Sequence, residues 1–130
     1  MIRNPEMLGK VQTPYFGEPI LFDGIFMGNC APTDCDALIE YHGIGYLFFE
    51  FKFGEAVMPV GQELAFTRLV NDLEKAGKKA ALFECHHRDE GRVIGKNAIV
   101  TRVYINGNWH NTHASVQDMT ARFKSWVDRG

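Results

Sequence analysis

Hydrophobic side chains gather in two runs near the middle of the chain, Asp36-Ala37-Leu38-Ile39-Glu40-Tyr41 and Tyr46-Leu47-Phe48-Phe49-Glu50-Phe51-Lys52-Phe53. Their aromatic and aliphatic content predicts two strands. The connector His42-Gly43-Ile44-Gly45 supplies two glycines for a tight turn, so a β-hairpin is expected. Beyond Pro59, which suits a first helical turn, Leu64, Phe66, Leu69, Val70 and Leu73 recur at helical spacing, and Gly77 ends the pattern. Residues 79–85 predict a short buried strand and residues 98–105 another, closed by the turn Asn106-Gly107-Asn108. The last segment predicts an amphipathic helix with Val116, Met119, Phe123, Trp126 and Val127 on one face and Ser115 with Asp118 as a capping box. Gly9, Pro14, Gly17, Pro19, Gly24 and Gly28 punctuate the start and leave room only for a short helix over 18–27.

That order predicts an α/β fold, a mixed β-sheet flanked by helices in three layers. The strand after the long helix is expected to run parallel to the one before it, through a right-handed crossover. With 130 residues, 45% of them hydrophobic and 23% charged, a single domain over 1–130 is expected. A net charge of −2 excludes a generic basic coat for nucleic acid. Charge is nonetheless segregated: residues 1–40 sum to −4 and residues 75–102 to +4. Such a division sets an acidic site beside a phosphate-binding surface, or reflects ordinary solvated faces. No apolar run approaches a membrane span and no apolar signal segment follows the start, so a cytoplasmic protein with no membrane partner is expected. Three cysteines, Cys30, Cys35 and Cys85, exclude a complete disulfide framework.

Strand periodicity picks out the chemistry. Glu50 and Lys52 point to one face while Phe49, Phe51 and Phe53 point to the other. The phenylalanines belong to a core, but a Glu and a Lys set among them in mid-sheet call for another reason. If the hairpin pairs Glu40 with Tyr46, Asp36 falls opposite Glu50. Two carboxylates then converge with an ammonium beside them, the minimum set for holding a hard divalent cation and placing a water against a phosphodiester. Two carboxylates suit Mg²⁺, which keeps several waters and takes further ligands from substrate phosphate. Lys52 would orient or deprotonate the water, or stabilise charge on the phosphate. Gln62, in the first turn of the next helix, would hold the water or a phosphate oxygen near free backbone N–H groups.

Thr33-Asp34-Cys35-Asp36 leading into a strand, Glu50-Phe51-Lys52, and Gly61-Gln62 opening a helix resemble the PD-(D/E)XK nuclease superfamily. The match is close over 33–85 and looser elsewhere, and is nearest to short phage and prophage forms. The resemblance implies the restriction-endonuclease-like fold shared with Holliday-junction resolvases, and a Mg²⁺-dependent nuclease (Mn²⁺ substituting) that hydrolyses DNA, with a preference for branched, nicked or end-bearing substrates. Carried over by position, Asp36 and Glu50 bind the metal, Lys52 assists the water and Gln62 matches the helix glutamine of some branches. The family's Pro-Asp is here Pro32-Thr33-Asp34-Cys35-Asp36, so either aspartate fits; Asp36 is preferred because it enters the strand directly in phase with Glu50. The family also places a Glu on an N-terminal helix, for which Glu18 is the first candidate and Glu6 the second. A homodimer would suit cutting of both strands. The alternative is a catalytically inactive nuclease-fold module for DNA binding or assembly, and a third reading makes Asp36, Glu50 and Lys52 a structural ion cluster.

Other residues carry weaker signals. His86, His87 and Arg88 are either phosphate contacts at the edge of the site or a polar strand exit. Cys30, Cys35, Cys85 and His86 lack the paired spacing of a zinc site. His110 and His113 are expected in a surface turn before the last helix, with Trp109 closing a hairpin over the core rather than stacking on a base. Glu40 is either a support for the site or an ordinary strand charge. No phosphate-cradling Gly-Lys-Ser/Thr loop, no G-x-S-x-G and no dinucleotide fingerprint is present, which disfavours NTP-driven and α/β-hydrolase chemistry.

Overall fold

The structure, a computed structural model, describes residues 21, 23–25, 27–30 and 32–130. Among the described residues the chain forms β1 (Ala37–Tyr41), β2 (Gly45–Phe53), α1 (Val60–Lys75), β3 (Lys79–His87), a turn of 3-10 helix (Gly95–Asn97), β4 (Ile99–Ile105), β5 (Asn108–Ser115) and α2 (Val116–Asp128). The five strands make one mixed sheet in chain order, β1-β2-β3-β4-β5. Neighbours are antiparallel except β2 and β3, which run parallel across the α1 crossover as expected.

Alternation along the strands splits the core in two. Leu47, Phe49, Ala81, Phe83, Cys85, Val100 and Val103 face Phe123 and Val127 of α2. Phe48, Ala80, Leu82 and Tyr104 face Phe66 and Val70 of α1. One helix therefore covers each face, and the fold is α/β with helix, sheet and helix stacked.

The hairpin forms with the expected register, Glu40 opposite Tyr46, but its two glycines do different jobs. His42 and Gly43 both take positive φ, 54° and 69°, and the Ile44 N–H donates to the Tyr41 carbonyl at 3.0 Å. Two successive residues of positive φ and that bond make a tight turn inside a three-residue connection, 42–44, between Tyr41 and its partner Gly45. Gly45 instead lies within β2, where a Cβ would stand 2.9 Å from Val127 Cγ2. It lets α2 approach the sheet. Gly45→Ala is expected to cost about 1–3 kcal/mol by overpacking against a stiff, buried valine, read as a lowered denaturation midpoint.

Both helix ends follow their local chemistry. The Asp118 N–H donates to Ser115 Oγ at 3.1 Å, so Ser115 caps α2. Gly77 follows α1 with φ +85°, the left-handed stop that glycine adopts without strain. Pro59 is the N-cap of α1 rather than part of its first turn.

Three expectations need correction. The helix over 18–27 is absent from the described part of that stretch: Asp23 and Gly24 form a turn, and Met27 bridges Cys30. Its first residues, Glu18 included, and also Glu6, lie outside the described residues. His110 and His113 do not form a surface turn but belong, with Trp109, to β5, a fifth strand, while Trp109 packs on Tyr104 over the core as expected. Its sequence, Asn-Trp-His-Asn-Thr-His-Ala-Ser, is too polar to read as a strand; pairing with β4 alone makes it one. Finally, β3 continues two residues past Cys85 and includes His86 and His87.

Candidate active site

The site sits where β1 enters the sheet beside the C-terminal half of β2, under the first turn of α1. The β1–β2 register places Ala37 opposite Phe49, and one step further brings Asp36 against Glu50. The Asp36 N–H donates to Glu50 Oε2 at 3.2 Å, and Asp36 Oδ2 accepts from the Phe51 N–H at 2.8 Å. These two bonds continue the ladder through side chains and lock both carboxylates on the α1 face. From α1, the Gln62 side chain bridges the other two predicted residues: its Nε2 donates to Glu50 Oε1, and its Oε1 accepts from Lys52 Nζ at 3.1 Å. Asp34, Asp36, Glu50, Lys52 and Gln62 share one cavity of about 280 Å³, with His87 and Val93 on its rim.

Glu50 is 1% exposed. Burial, with the Asp36 carboxylate beside it, pushes its carboxyl up to about 8. Burial likewise raises Asp36, against the pull of the Phe51 N–H. Between pH 4.5, the ordinary Glu value, and about 8, the folded chain keeps a proton on Glu50 that the unfolded chain gives up. The contribution of Glu50 to stability is therefore complete below pH 4.5 and declines as pH rises toward 8, by on the order of a few kcal/mol. Thermal melts of metal-free protein should show a lower midpoint at pH 8.5 than at pH 6.

Comparison of the chain with protein-family models, curated proteins and solved structures returns no match. Its own geometry is what assigns roles.

Asp36, Glu50, Lys52 and Gln62 are brought together as the sequence predicts. Asp34 lines the same cavity, and its carbonyl accepts from Gln62 Nε2 at 3.5 Å. Glu40 is not in the site: its carboxylate accepts from the Gly43 N–H and holds the hairpin turn. Lys78 and Lys79 are not there either. Lys78 Nζ donates to the Gly43 carbonyl and Lys79 Nζ to the Trp126 carbonyl, both at 2.7 Å. They fasten the opposite end of β3, five residues or about 17 Å before Glu84, so the basic segment 75–102 is not one phosphate-binding surface. The three cysteines are free and scattered, with Cys85 buried and the others exposed.

One network escaped the sequence reading. Glu84 lies beside Glu50 on the neighbouring strand and is 3% exposed. Arg102 Nε donates to Glu84 Oε1 at 2.7 Å, and the same guanidinium reaches Glu63 Oε1 of α1 at 3.1 Å. His86 lies between Glu84 Oε2, at 3.1 Å, and the Gly54 carbonyl, at 2.6 Å. The available signal was a charge set between Phe83 and Cys85 near the end of the apolar run 79–85, the same anomaly that exposed Glu50.

The donor set suits a hard divalent ion. Two carboxylates held together out of water repel each other, and a cation would relieve both. Among the described residues no group of three or more His, Cys, Asp and Glu surrounds a common point.

Proposed function

We propose that this chain is a metal-dependent nuclease of the PD-(D/E)XK type, with the restriction-endonuclease-like fold, that hydrolyses DNA phosphodiesters. The observation that carries the reading is the convergence of Asp36, Glu50, Lys52 and Gln62 in one cavity from three separate elements. An ordinary surface ion pair would not bury a carboxylate to 1% exposure beside a second one.

Asp36 and Glu50 would hold Mg²⁺, or Mn²⁺ in its place, and the ion when bound supplies Lewis-acid polarisation of the phosphate. The chain's own groups do the rest. Lys52 Nζ sets positive charge against the phosphate oxygens as they become more negative. The Gln62 amide, holding Glu50 with its nitrogen and Lys52 with its oxygen, aligns both and can re-aim toward a water. Attack of that water forms a new P–O bond and breaks the ester P–O bond; the water gives up one proton and the departing oxygen takes one up, so the step balances. A single site cuts a single strand, so double-strand cleavage calls for a second copy.

No helix among the described residues is long and apolar enough to cross a membrane. The test is incubation of purified protein with linear, circular, single-stranded and branched DNA in Mg²⁺, Mn²⁺ or EDTA. Metal-dependent cutting that Lys52→Ala abolishes supports the reading. Binding of DNA without cutting in either metal would move the chain to the non-catalytic assembly module.

A further inference from the structure

A second, larger cavity opens on the α1 face next to the site. It measures about 610 Å³ and runs from the 54–57 loop across the ends of β3 and β4 to β5. His87 lines both cavities, so the two adjoin across that side chain. A volume of this order is that of a small-molecule pocket and accommodates a nucleoside.

Its chemistry is unlike that of a phosphate trap. The fixed charges cancel in pairs: Glu84 is held by Arg102 at 2.7 Å and Glu55 by Arg88 at 3.0 Å. Val57 and Ile99 supply apolar wall. Asn97, Asn111 and His113 also line it, and their side chains hold no hydrogen bond to another described residue. An electroneutral pocket with apolar walls and several unengaged amide and imidazole groups matches the flat faces and mixed donor–acceptor edges of a base. It does not match a phosphate, whose affinity comes from unpaired positive charge.

The geometry points to a nucleobase subsite: this cavity receives one unpaired base of the strand whose phosphate lies at Asp36 and Glu50. The inference rests on the nuclease reading for the position of that phosphate. It gives that reading a substrate class, since a base enters a pocket only where it is out of the duplex, at a single-stranded end, a gap or a branch.

The test uses a fluorescein-labelled single-stranded 12-mer in EDTA, where binding is followed without cutting, and a series carrying one abasic position moved stepwise along it. Wild type should bind the intact strand about five- to tenfold more tightly than the oligomer with the abasic residue at one particular position, the scale of one or two lost hydrogen bonds. The double variant Asn111→Ala/His113→Ala removes two exposed side chains and should melt like wild type. It should bind the intact strand more weakly by the same factor and show no abasic penalty. A penalty absent at every position, undiminished in the variant, or no binding at all overturns the inference. Cutting in Mg²⁺ without abasic sensitivity sinks the subsite and leaves the nuclease. Abasic sensitivity abolished by the variant, with no cutting, keeps the subsite and sinks the nuclease.

Discussion

Glu50→Gln should abolish metal-dependent DNA cleavage while making the metal-free protein more stable above pH 8. The two effects have opposite signs because they come from one cause. Glu50 lies in a nearly dry position beside Asp36, where ionisation is disfavoured up to about pH 8. Glutamine keeps the shape and its one amide oxygen can still accept from the Asp36 N–H, at the cost of the Gln62 Nε2 bond to the second oxygen, yet it carries no charge to desolvate. The fall in stability between pH 6 and pH 8.5 should therefore flatten in the variant, as read by thermal melts. The same substitution removes half of the charge available to a cation. Activity should fall by a factor on the order of 10³ or more, the scale of losing one strong electrostatic contributor to a transition state. Mg²⁺ or Mn²⁺ should raise the melting temperature of wild type and not of the variant, because only an ion bound to the folded state stabilises it. A wild-type protein indifferent to both metals would leave Asp36, Glu50 and Lys52 as a structural cluster.

Arg102→Ala carries the largest expected loss of stability. Arg102 joins β4 to β3 and to α1 through Glu84 and Glu63, and its guanidinium lies 3.8 Å from the centre of the Trp109 ring. Its removal strands the Glu84 carboxylate in a nearly dry position with only His86 as partner. Breaking one side of a buried pair costs about 3 kcal/mol or more, because the remaining charge cannot rehydrate. For a domain of this size that corresponds to a drop of roughly 10 °C in melting temperature. The matched double variant Arg102→Met/Glu84→Met should recover most of the loss, since replacing both partners leaves no charge stranded. If the double variant melts as low as Arg102→Ala, packing on Trp109 rather than the charge pair accounts for the cost.

The elements most legible in the sequence are those whose side chains repeat a local period. The 36–53 hairpin, the α1 stripe and the capped α2 each formed with bounds shifted by a residue or two, although in α1 Phe66 and Val70 are buried while Leu64 and Leu69 of the stripe stay exposed. The four site residues were legible for the same reason: Glu50 and Lys52 break an apolar alternation, and the hairpin register brings Asp36 to them. The register needed only one correct pair, because strand pairing propagates two residues at a time.

β5 and the Glu84 network were hidden for a complementary reason. Nothing in Asn108–Ser115 favours a strand over a turn until β4 offers its free edge, and the half-buried Trp109 then packs on Tyr104. Lys78 and Lys79 counted toward the basic segment 75–102, but charge along a sequence carries no record of direction in space. In the fold their ammonium groups close the far end of the sheet. The sequence by itself determined the faces, the order of elements and the residues able to do chemistry, since those follow from neighbours within a few positions. Only the tertiary structure decided which distant groups meet, from the Gln62 bridge to the Arg102 clamp and the two cavities that adjoin at His87. Contacts between residues ten to forty positions apart exist only once the sheet has closed around them.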